Sequence, residues 1–596
     1  MNKKIGVFVA WPYANGALHL GHIAGAYLTA DIFARYHRLV GNDVLMVSGS
    51  DAHGTPITVT ADEENKTPRQ VFEESHALFL EGWQKLGISF DLFTHTETEN
   101  HWAITQDFFT RLLEKEFLFK QTSQQIFCED DQRFLPDRYI AGTCPICKFP
   151  RARGDQCDHC GNTLDATDLI NPQCKLAKAG DAPHRLVVRA TEHFFLDLPA
   201  FEQKLIAWLE TKTEWKENVT KFVHNYLKNG LRARAITRDL DWGIEIPLAG
   251  YDTKRIYVWF EAVIGYYSAS VEWAKNRGMP EKWREWWTRE DNPANPAGQV
   301  VRGYYFIGKD NIPFHTVIWP AILLAYDENL PLPYDVPANE FLNLEGDKFS
   351  KSRHWAVTIN DYLQSYDPDP LRFLLSVNMP EFADTEFTWH EFVRRNNDEL
   401  IANWGNLANR VLTFTHKNFD QCVPTPGELT GADRALIAQS EAAFAQVGDA
   451  LERVRFKEAI GYAVELAREA NRYINDAAPW LAIKTDRARA GTSLYVALRV
   501  IDNLKTLFYP FLPFSSNALH AQLGYDGDLL GELNIETIQE KTRAHTALVY
   551  APGKHSQKWA PSQLPPGQKL REPKALFKKL DVKIAEEEKA KLGKPR

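Results

Sequence analysis

No apolar run in this 596-residue chain approaches the roughly 20 residues that cross a bilayer, which removes the membrane-spanning classes. No secretory pattern precedes the first apolar segment, because Met1-Asn2-Lys3-Lys4 leads straight into it. The two absences together lead to the expectation of a cytoplasmic protein. In residues 1–115 neither Gly-x-Gly-x-x-Gly nor Gly-x-x-x-x-Gly-Lys occurs, so a dinucleotide or P-loop site lacks its fingerprint there. Positive charge is not in excess. A net charge of −9 argues against a chain that coats nucleic acid indiscriminately, although a local basic groove stays open. Cysteines number seven, an odd count, with four in Cys-x-x-Cys pairs. In a cytosolic chain that favours metal over disulfides. No repeat is evident. The rest is ordinary globular composition, 44% hydrophobic and 25% charged, and the length calls for roughly three to five domains.

The most informative stretch is Pro12-Tyr13-Ala14-Asn15-Gly16-Ala17-Leu18-His19-Leu20-Gly21-His22. The β-branched run Ile5–Val9 reads as a buried strand leading into it, and Asn15-Gly16 signals a turn. Ile23, Ala26, Tyr27, Ala30, Phe33 and Ala34 then recur at helical spacing up to Gly41. His19 and His22 therefore stand where a strand hands over to a helix, whose unpaired N–H groups and dipole suit an anion. Two imidazoles there can donate to phosphate oxygens that gain charge in a reaction. Gly21 would let a flat ring approach the backbone. Taken alone, His-x-Gly-His fits a tight turn with two incidental histidines equally well. The second feature is Lys348-Phe349-Ser350-Lys351-Ser352, more than three hundred residues downstream. By itself it could be a solvated basic turn.

The pair of motifs resembles the signatures of class I aminoacyl-tRNA synthetases, and the full first stretch is similar to the methionyl-tRNA synthetase family. The resemblance runs, with gaps, from about Lys4 to about residue 540.

Along the chain, Val44–Val47 reads as a second strand ending in Ser48-Gly-Ser-Asp51-Ala-His-Gly-Thr55, a polar end of the kind that binds ligands in open α/β sheets. Thr67-Pro68 starts a helix that Gly87 stops, and another helix spans about 101–115. The pattern breaks over 116–240. There Cys144-Pro-Ile-Cys147 and Cys157-Asp-His-Cys160 are separated by nine residues. Two such knuckles offer four thiolates to one Zn2+ in a closed structural site, with His159 a competing ligand that a filled tetrahedron does not need. Cys128, Cys174 and Cys422 lack partners at metal spacing and read as buried or inert. The α/β pattern resumes with a strand over Ile256–Phe260 and another over Val300–Ile307, followed by a helix carrying His315. From Thr388 the period is helical. Thr388-Trp-His-Glu391 reads as a capping box, and long helices are expected near 391–417, 431–453, 456–478 and 490–509. Residues 552–569 read as a linker and 583–591 as a short charged helix or frayed end.

The fold class is thus α/β: a Rossmann-like doubly wound parallel sheet split by a zinc-binding insert, followed by an all-α bundle that the resemblance makes anticodon-binding. Expected divisions are a first catalytic half at 1–115, the insert at 116–240, a second catalytic half at 241–335, a connecting domain at 336–387, the bundle at 388–545, and a linker with tail at 546–596.

The resemblance implies a methionine–tRNA ligase that makes methionyl-adenylate from L-methionine and ATP, then charges tRNA-Met. It implies His19, His22, Lys348 and Lys351 as catalytic groups. ATP would meet Pro12, His19, Gly21, His22, Gly308, Lys309, Asp310, Lys348, Ser350, Lys351 and Ser352, with Mg2+. Methionine would meet Ala10, Trp11, Tyr13, Asp51, Trp259, Ala262, Tyr266 and His315, a thioether packing well on aromatic faces. Val263 and Asn311 depart from many members and leave the pocket shape open. Asn406, Arg410 and Trp480 would read the anticodon, unless Trp480 merely seals a helix end. Some members carry a second cysteine knuckle. Cys174-Lys-Leu-Ala177 keeps only one of its cysteines, so one zinc is expected. The insert is too short for a separate editing domain, and too few residues follow the linker for a dimerisation barrel, so a monomer is expected. Other readings are a nucleotidyltransferase with the same histidine motif, an inactive tRNA-binding relative, and synthetases for leucine, isoleucine, valine or cysteine.

Overall fold

The structure, a computed structural model, describes residues 2–594 apart from 155–156, 158, 161–163, 178–181, 294, 296–297, 352 and 554–557. The N-terminal apolar run forms strand Lys4–Val9, and it sits in the middle of the main sheet. Among the described residues that sheet runs Ala338–Asn339, Val301–Gly308, Lys4–Val9, Asp43–Ser50, Leu92–His95, Ala544–Ala551, Glu532–Gln539. The first five strands are parallel. Chain order reverses between Lys4–Val9 and Val301–Gly308, which is the topological switch point of a doubly wound sheet. Ligands bind there, outside the carboxyl ends of the strands. The segments that leave those ends carry Trp11–His22 on one side and Lys309–His315 on the other.

Alternation along Lys4–Val9 sends Ile5, Val7 and Val9 into one core and Phe8 into the other. Helices Leu28–Val40 and Pro68–Leu86 cover the first face. Glu99–Glu114 and Val258–Asn276 cover the second. Helix ends follow local chemistry. Thr67 accepts from the Gln70 N–H and Gln70 bonds back, and Gly41 and Gly87 close their helices in the left-handed region at φ 92 and 73.

The insert is built on a long antiparallel hairpin, Leu118–Cys128 against Leu186–Leu196. A small three-stranded sheet, Ala152–Arg153, Ile140–Thr143 and Ile170–Cys174, sits at its tip. Further along the chain come helices Gly431–Glu452, Phe456–Ala477 and Arg487–Phe508.

Four local expectations differ. The strand expected over Ile256–Phe260 is strand Lys254–Ile256 followed at once by helix Val258–Asn276. That helix is buried on nearly every side, so its start reads as a short apolar run that periodicity cannot separate from a strand. Thr388 does cap its helix through the Glu391 N–H (3.1 Å), but the Glu391 carboxylate turns to Arg394 and Arg395 (2.9 and 3.0 Å) instead of closing the box. The helical part does not persist to 545. Glu532–Gln539 and Ala544–Ala551 form a hairpin that adds antiparallel strands to the catalytic sheet. The segment read as linker and tail is packed. Trp559 lies against Tyr36 and Phe444, Leu564 and Leu570 are buried, and the Gly593 N–H reaches the His354 carbonyl beside the basic loop (3.0 Å). Its polar composition concealed single apolar anchors spaced far apart.

The helix after the first strand and the segments leading into and out of the helical part are joined through a buried charge. Asp31 accepts from Arg35 Nε (2.9 Å), Arg372 Nη2 (2.6 Å) and the Ser89 N–H (2.8 Å), while Arg372 Nε donates to the Phe511 carbonyl (2.7 Å). Burial works against the Asp31 carboxylate, but the two guanidiniums win and hold its pKa near 2. Its contribution is therefore present above the ordinary carboxylate pKa and disappears as pH falls through about 2. Arg372→Met leaves Asp31 short of one cation and the Phe511 carbonyl without its donor. Breaking such a pair costs about 3–5 kcal/mol, so the urea midpoint of the first unfolding transition should drop clearly. An unchanged midpoint would show that the tie carries no stability.

Candidate active site and cysteine clusters

The strand-to-helix turn is tight because Gly16 takes φ +106 and its N–H donates to Ser75 Oγ (2.7 Å). His22 follows one helical turn after His19, and its N–H donates to the His19 carbonyl (2.9 Å). The His19 N–H donates to His22 Nδ1 (3.2 Å). That bond makes His22 Nδ1 the acceptor and leaves its proton on Nε2, available as a donor. Burial lowers both pKa values, that of His22 to about 3, so both rings are neutral. His19 Nδ1 is buried with no partner among the described residues. The helix that follows opens with a π turn over Ile23–Tyr27, a distortion common at functional sites.

The distant basic loop is clasped to this turn by main chain. The Leu20 N–H donates to the Val357 carbonyl (3.1 Å) and the Ile359 N–H to the Leu18 carbonyl (2.8 Å). Within the loop, Ser350 and Trp355 exchange bonds of 2.9 Å. Phe349 stacks on His19 with centroids 4.5 Å apart and planes 7° from parallel. A Cβ on Gly21 would stand 3.0 Å from His19 and 3.2 Å from Phe349, so glycine makes room for that stack. Lys351 is exposed, yet its ammonium donates to the Gly16 carbonyl (3.0 Å), and desolvation there lowers its pKa to about 8. Lys348 stands 5.7 Å from the Phe341 ring, and Lys309 shares that ring at 4.0 Å. Ser352 lies outside the described residues. Lys309 is committed to Glu340 (2.7 Å) and Asp384 (2.9 Å), and Asp310 is exposed beside it. Gly303-Tyr-Tyr-Phe-Ile-Gly308-Lys309 has P-loop spacing, but it is strand rather than loop and lacks the following hydroxyl.

The residues expected around an amino acid gather at the same strand ends. Tyr13 pairs with Asp51 as a bridge, and the Asp51 N–H donates to the Pro12 carbonyl (2.8 Å). Ala10 accepts from Tyr27 Oη (2.8 Å). Trp11 lies over Gly265, where a Cβ would come within 2.6 Å of the indole. This places helix Val258–Asn276, with Trp259, Ala262 and Tyr266, against the first loop. Trp259 therefore stands on a helix's first turn and not at a strand end, edge-on to Phe314 at 5.1 Å. Tyr266 Oη donates to His315 Nε2 (2.7 Å) while His315 Nδ1 donates to the Asn311 carbonyl (2.9 Å). The two bonds set a neutral tautomer, and burial takes its pKa down to about 4.

A buried charge network behind Asp51 was not foreseen. Burial and the neighbouring Glu261 push Asp51 up to about 8. His53 bonds Glu261 (2.9 Å) through Nδ1 and Glu97 (2.7 Å) through Nε2. Burial opposes its charge, but the two carboxylates raise its pKa to about 10. Arg543 and His545, from the C-terminal hairpin, reach Glu97 (3.1 Å) and Glu272 (2.9 Å). Only the short Asp51-Ala-His53 run hinted at this in sequence.

In the helical part, Asn406 and Arg410 lie one turn apart on helix Asn406–Asn418. The Arg410 guanidinium lies over the half-buried Trp480 ring at 4.9 Å and donates to Asn475 Oδ1 (2.8 Å), while its Nε is unpartnered.

In the insert, the sulfurs of Cys144, Cys147, Cys157 and Cys160 lie within 4.8 Å of one another, with Cys144–Cys160 at 4.0 Å and Cys147–Cys157 at 3.6 Å. Metal–sulfur bonds of about 2.3 Å place tetrahedral neighbours about 3.8 Å apart, so this group could hold a metal ion. Cys128 and Cys174 are not isolated, contrary to the sequence reading. They converge with Asp131, in the turn just after Cys128, and with His184, just before strand Leu186–Leu196; the Cys-x-x-Asp spacing is local, but its meeting with Cys174 and His184 is not.

The family described as tRNA synthetases class I (M) matches residues 5–412, and the anticodon binding domain of methionyl tRNA ligase matches 423–551. A methionine–tRNA ligase of Thermomicrobium roseum is 56% identical over 99% of both chains, and one of Roseiflexus sp. is 53% identical over 99% of both. Among solved structures, Mycobacterium tuberculosis methionyl-tRNA synthetase in complex with methionyl-adenylate aligns at TM-score 0.76 and 24% identity, over 96% of this chain and 99% of that one. Its free form aligns at TM-score 0.68 and 23% identity, over 98% and 99%. These two likenesses speak to the fold. With a full-length match above half identity and a family description spanning most of its length, the chain belongs to the methionine–tRNA ligase family of class I tRNA synthetases.

Proposed function

We propose that the chain activates L-methionine with ATP and transfers the methionyl group to the terminal adenosine of tRNA-Met, initiator and elongator alike. The carrying observation is the main-chain clasp between Leu18–Leu20 and Val357–Ile359, which brings the basic loop to two neutral histidines, with Phe349 stacked on His19 and Lys351 on the Gly16 carbonyl.

In the first step the methionine carboxylate attacks the α-phosphorus and pyrophosphate leaves. His19 and His22 donate to phosphate oxygens as charge builds there. They are neutral donors at no protonation cost, and the unpartnered His19 Nδ1 marks where such an oxygen arrives. Lys348 and Lys351 hold the departing pyrophosphate. Among the described residues Lys351 has one carbonyl to leave, that of Gly16. Pro12, Gly21, Ser350, Ser352 and the Gly308–Asp310 segment line the nucleotide. Since the Lys309 ammonium is already paired, its share is through main chain. Mg2+ bound with ATP would supply further charge neutralisation. No enzyme nucleophile is needed, so catalysis is positioning plus charge stabilisation. Asp51 takes the α-ammonium. In its buried, proton-prone state it gains most from such a cation. Ala10, Trp11, Tyr13, Trp259, Ala262, Tyr266 and His315 surround the thioether. In the second step a terminal adenosine hydroxyl attacks the adenylate carbonyl and AMP leaves.

We assign zinc to Cys144, Cys147, Cys157 and Cys160 as a closed structural site. Catalysis falls to 1–115 and 241–335, joined by the basic loop that the connecting domain 336–387 carries. Asn406, Arg410 and Trp480 are assigned to the anticodon. The chain is taken as a cytoplasmic monomer.

Lys351→Ala should cut methionine-dependent pyrophosphate exchange by orders of magnitude with methionine KM nearly unchanged, because its contact matures in the transition state. A near-normal exchange rate would remove Lys351 from the mechanism. At the other end of the molecule, Trp480→Ala should lose about 1–3 kcal/mol of base stacking. It should lower charging of tRNA with a CAU anticodon and leave pyrophosphate exchange intact. If the variant melts early, Trp480 seals the bundle. If it melts normally and charges every tRNA as the parent does, the anticodon assignment is wrong.

A further inference from the structure

The insert holds a second group of metal-ligating atoms, and it does not depend on the synthetase reading. Cys128 Sγ, Cys174 Sγ, an Asp131 oxygen and a His184 nitrogen all lie within 4.8 Å of one another, as do the four sulfurs of the first group. Three separations are informative. His184 Nδ1 is 3.6 Å from Cys128 Sγ and 3.0 Å from Asp131 Oδ2, and Cys174 Sγ is 3.5 Å from Asp131 Oδ2. Around tetrahedral zinc, bonds of about 2.3 Å to sulfur and about 2.0–2.1 Å to nitrogen or oxygen require about 3.5 Å between a sulfur and a lighter ligand and about 3.3 Å between nitrogen and oxygen. These three separations are thus within a few tenths of an ångström of those in a coordination shell, and the other three lie under 4.8 Å.

Main-chain geometry points the same way. The Asp131 N–H donates to Cys128 Sγ (3.4 Å), three residues back. The Cys147 N–H does the same to Cys144 Sγ (3.5 Å) in the four-cysteine group. Cys174 Sγ accepts from the Leu176 N–H (3.4 Å). Amide donors aimed at sulfur favour the thiolate that a metal needs. The two thiols are buried while Asp131 and His184 are half-buried at the rim. Thiols are weak hydrogen-bond donors, and a plain His–Asp pair would give no reason for two buried sulfurs to converge on it.

The placement gives the site a task. Cys128 ends the long strand Leu118–Cys128, and His184 just precedes that strand's partner, whose Leu186 pairs with Cys128. Cys174 ends strand Ile170–Cys174 of the small sheet at the tip. An ion here would pin the small sheet, with its own cysteine group, to the hairpin that carries it.

We propose that Cys128, Asp131, Cys174 and His184 bind a second zinc ion in a closed structural site. Two thiolates, one carboxylate and one neutral imidazole fill a tetrahedron and are a ligand set that zinc accepts.

The test is zinc content of the full chain, purified without chelator and assayed by mass spectrometry. Two ions per chain are expected. Cys128→Ser with Cys174→Ser should leave one, Cys144→Ser with Cys147→Ser should also leave one, and all four changes should leave none. Loading with Co2+ separates the sites further, since the mixed site has half the thiolates. The first double variant should lose the smaller part of the sulfur-to-cobalt absorption. His184→Ala, a milder change, should also lower zinc from two to one while far-ultraviolet circular dichroism and methionine-dependent pyrophosphate exchange are retained. One zinc in the parent, unaffected by the Cys128 and Cys174 changes and removed by those at Cys144 and Cys147, overturns the proposal. So does a His184→Ala chain that keeps both ions.

Discussion

Two main-chain hydrogen bonds, Leu20 N–H to the Val357 carbonyl and Ile359 N–H to the Leu18 carbonyl, set the register on which the catalytic arrangement depends. Each is worth about 1 kcal/mol net, too little to hold a multidomain fold together. Their effect is positional. They bring the turn after the first strand and the chain just past the basic loop to one place. A single donor aimed at developing charge is worth about 3–4 kcal/mol, so small bonds that place several donors have a large effect on rate. The loop itself rests lightly. Phe349 on His19 contributes about 0.5–1.5 kcal/mol, and Lys351 holds one carbonyl. ATP binding can displace both contacts.

A second constraint is charge balance under the amino-acid site. Asp51 and Glu261 are buried together, and two carboxylates in one low-dielectric place disfavour each other's ionisation. His53, held cationic between Glu261 and Glu97, compensates in part. Glu97 in turn holds Arg69 and Arg543, so the proposed place of the substrate's α-ammonium is beside Asp51 itself. Arg543 and His545 arrive at this network from the far end of the chain. The C-terminal hairpin therefore belongs electrostatically to the catalytic half, although helices of the bundle precede it in sequence.

Much of this was legible before any coordinates, where the signal was local. His19 and His22 at a strand-to-helix handover, the Thr67 cap, Gly41 and Gly87 as stops, and the paired cysteines all follow from spacing within one turn or one strand. What sequence concealed was set by tertiary surroundings. Trp259 begins a helix buried on nearly every side, so its apolar run had no distinguishing period. Cys128, with Asp131 in the turn after it, meets Cys174 of a second sheet and His184, 56 residues further on. Trp559, Leu564 and Leu570 dock a segment whose composition reads as linker. The Lys309 side chain looked like a phosphate ligand until its two carboxylate partners, 31 and 75 residues away, were in place.

The central claim is that the paired motifs form an adenylation site with an aromatic pocket built for methionine. Its most direct test is exchange of labelled pyrophosphate into ATP by the unmodified chain, run in parallel with methionine, leucine, isoleucine, valine and cysteine. The account predicts exchange that depends on methionine, with kcat/KM for each of the others lower by orders of magnitude. Equal or faster exchange with any of the four, or none with methionine, would contradict it.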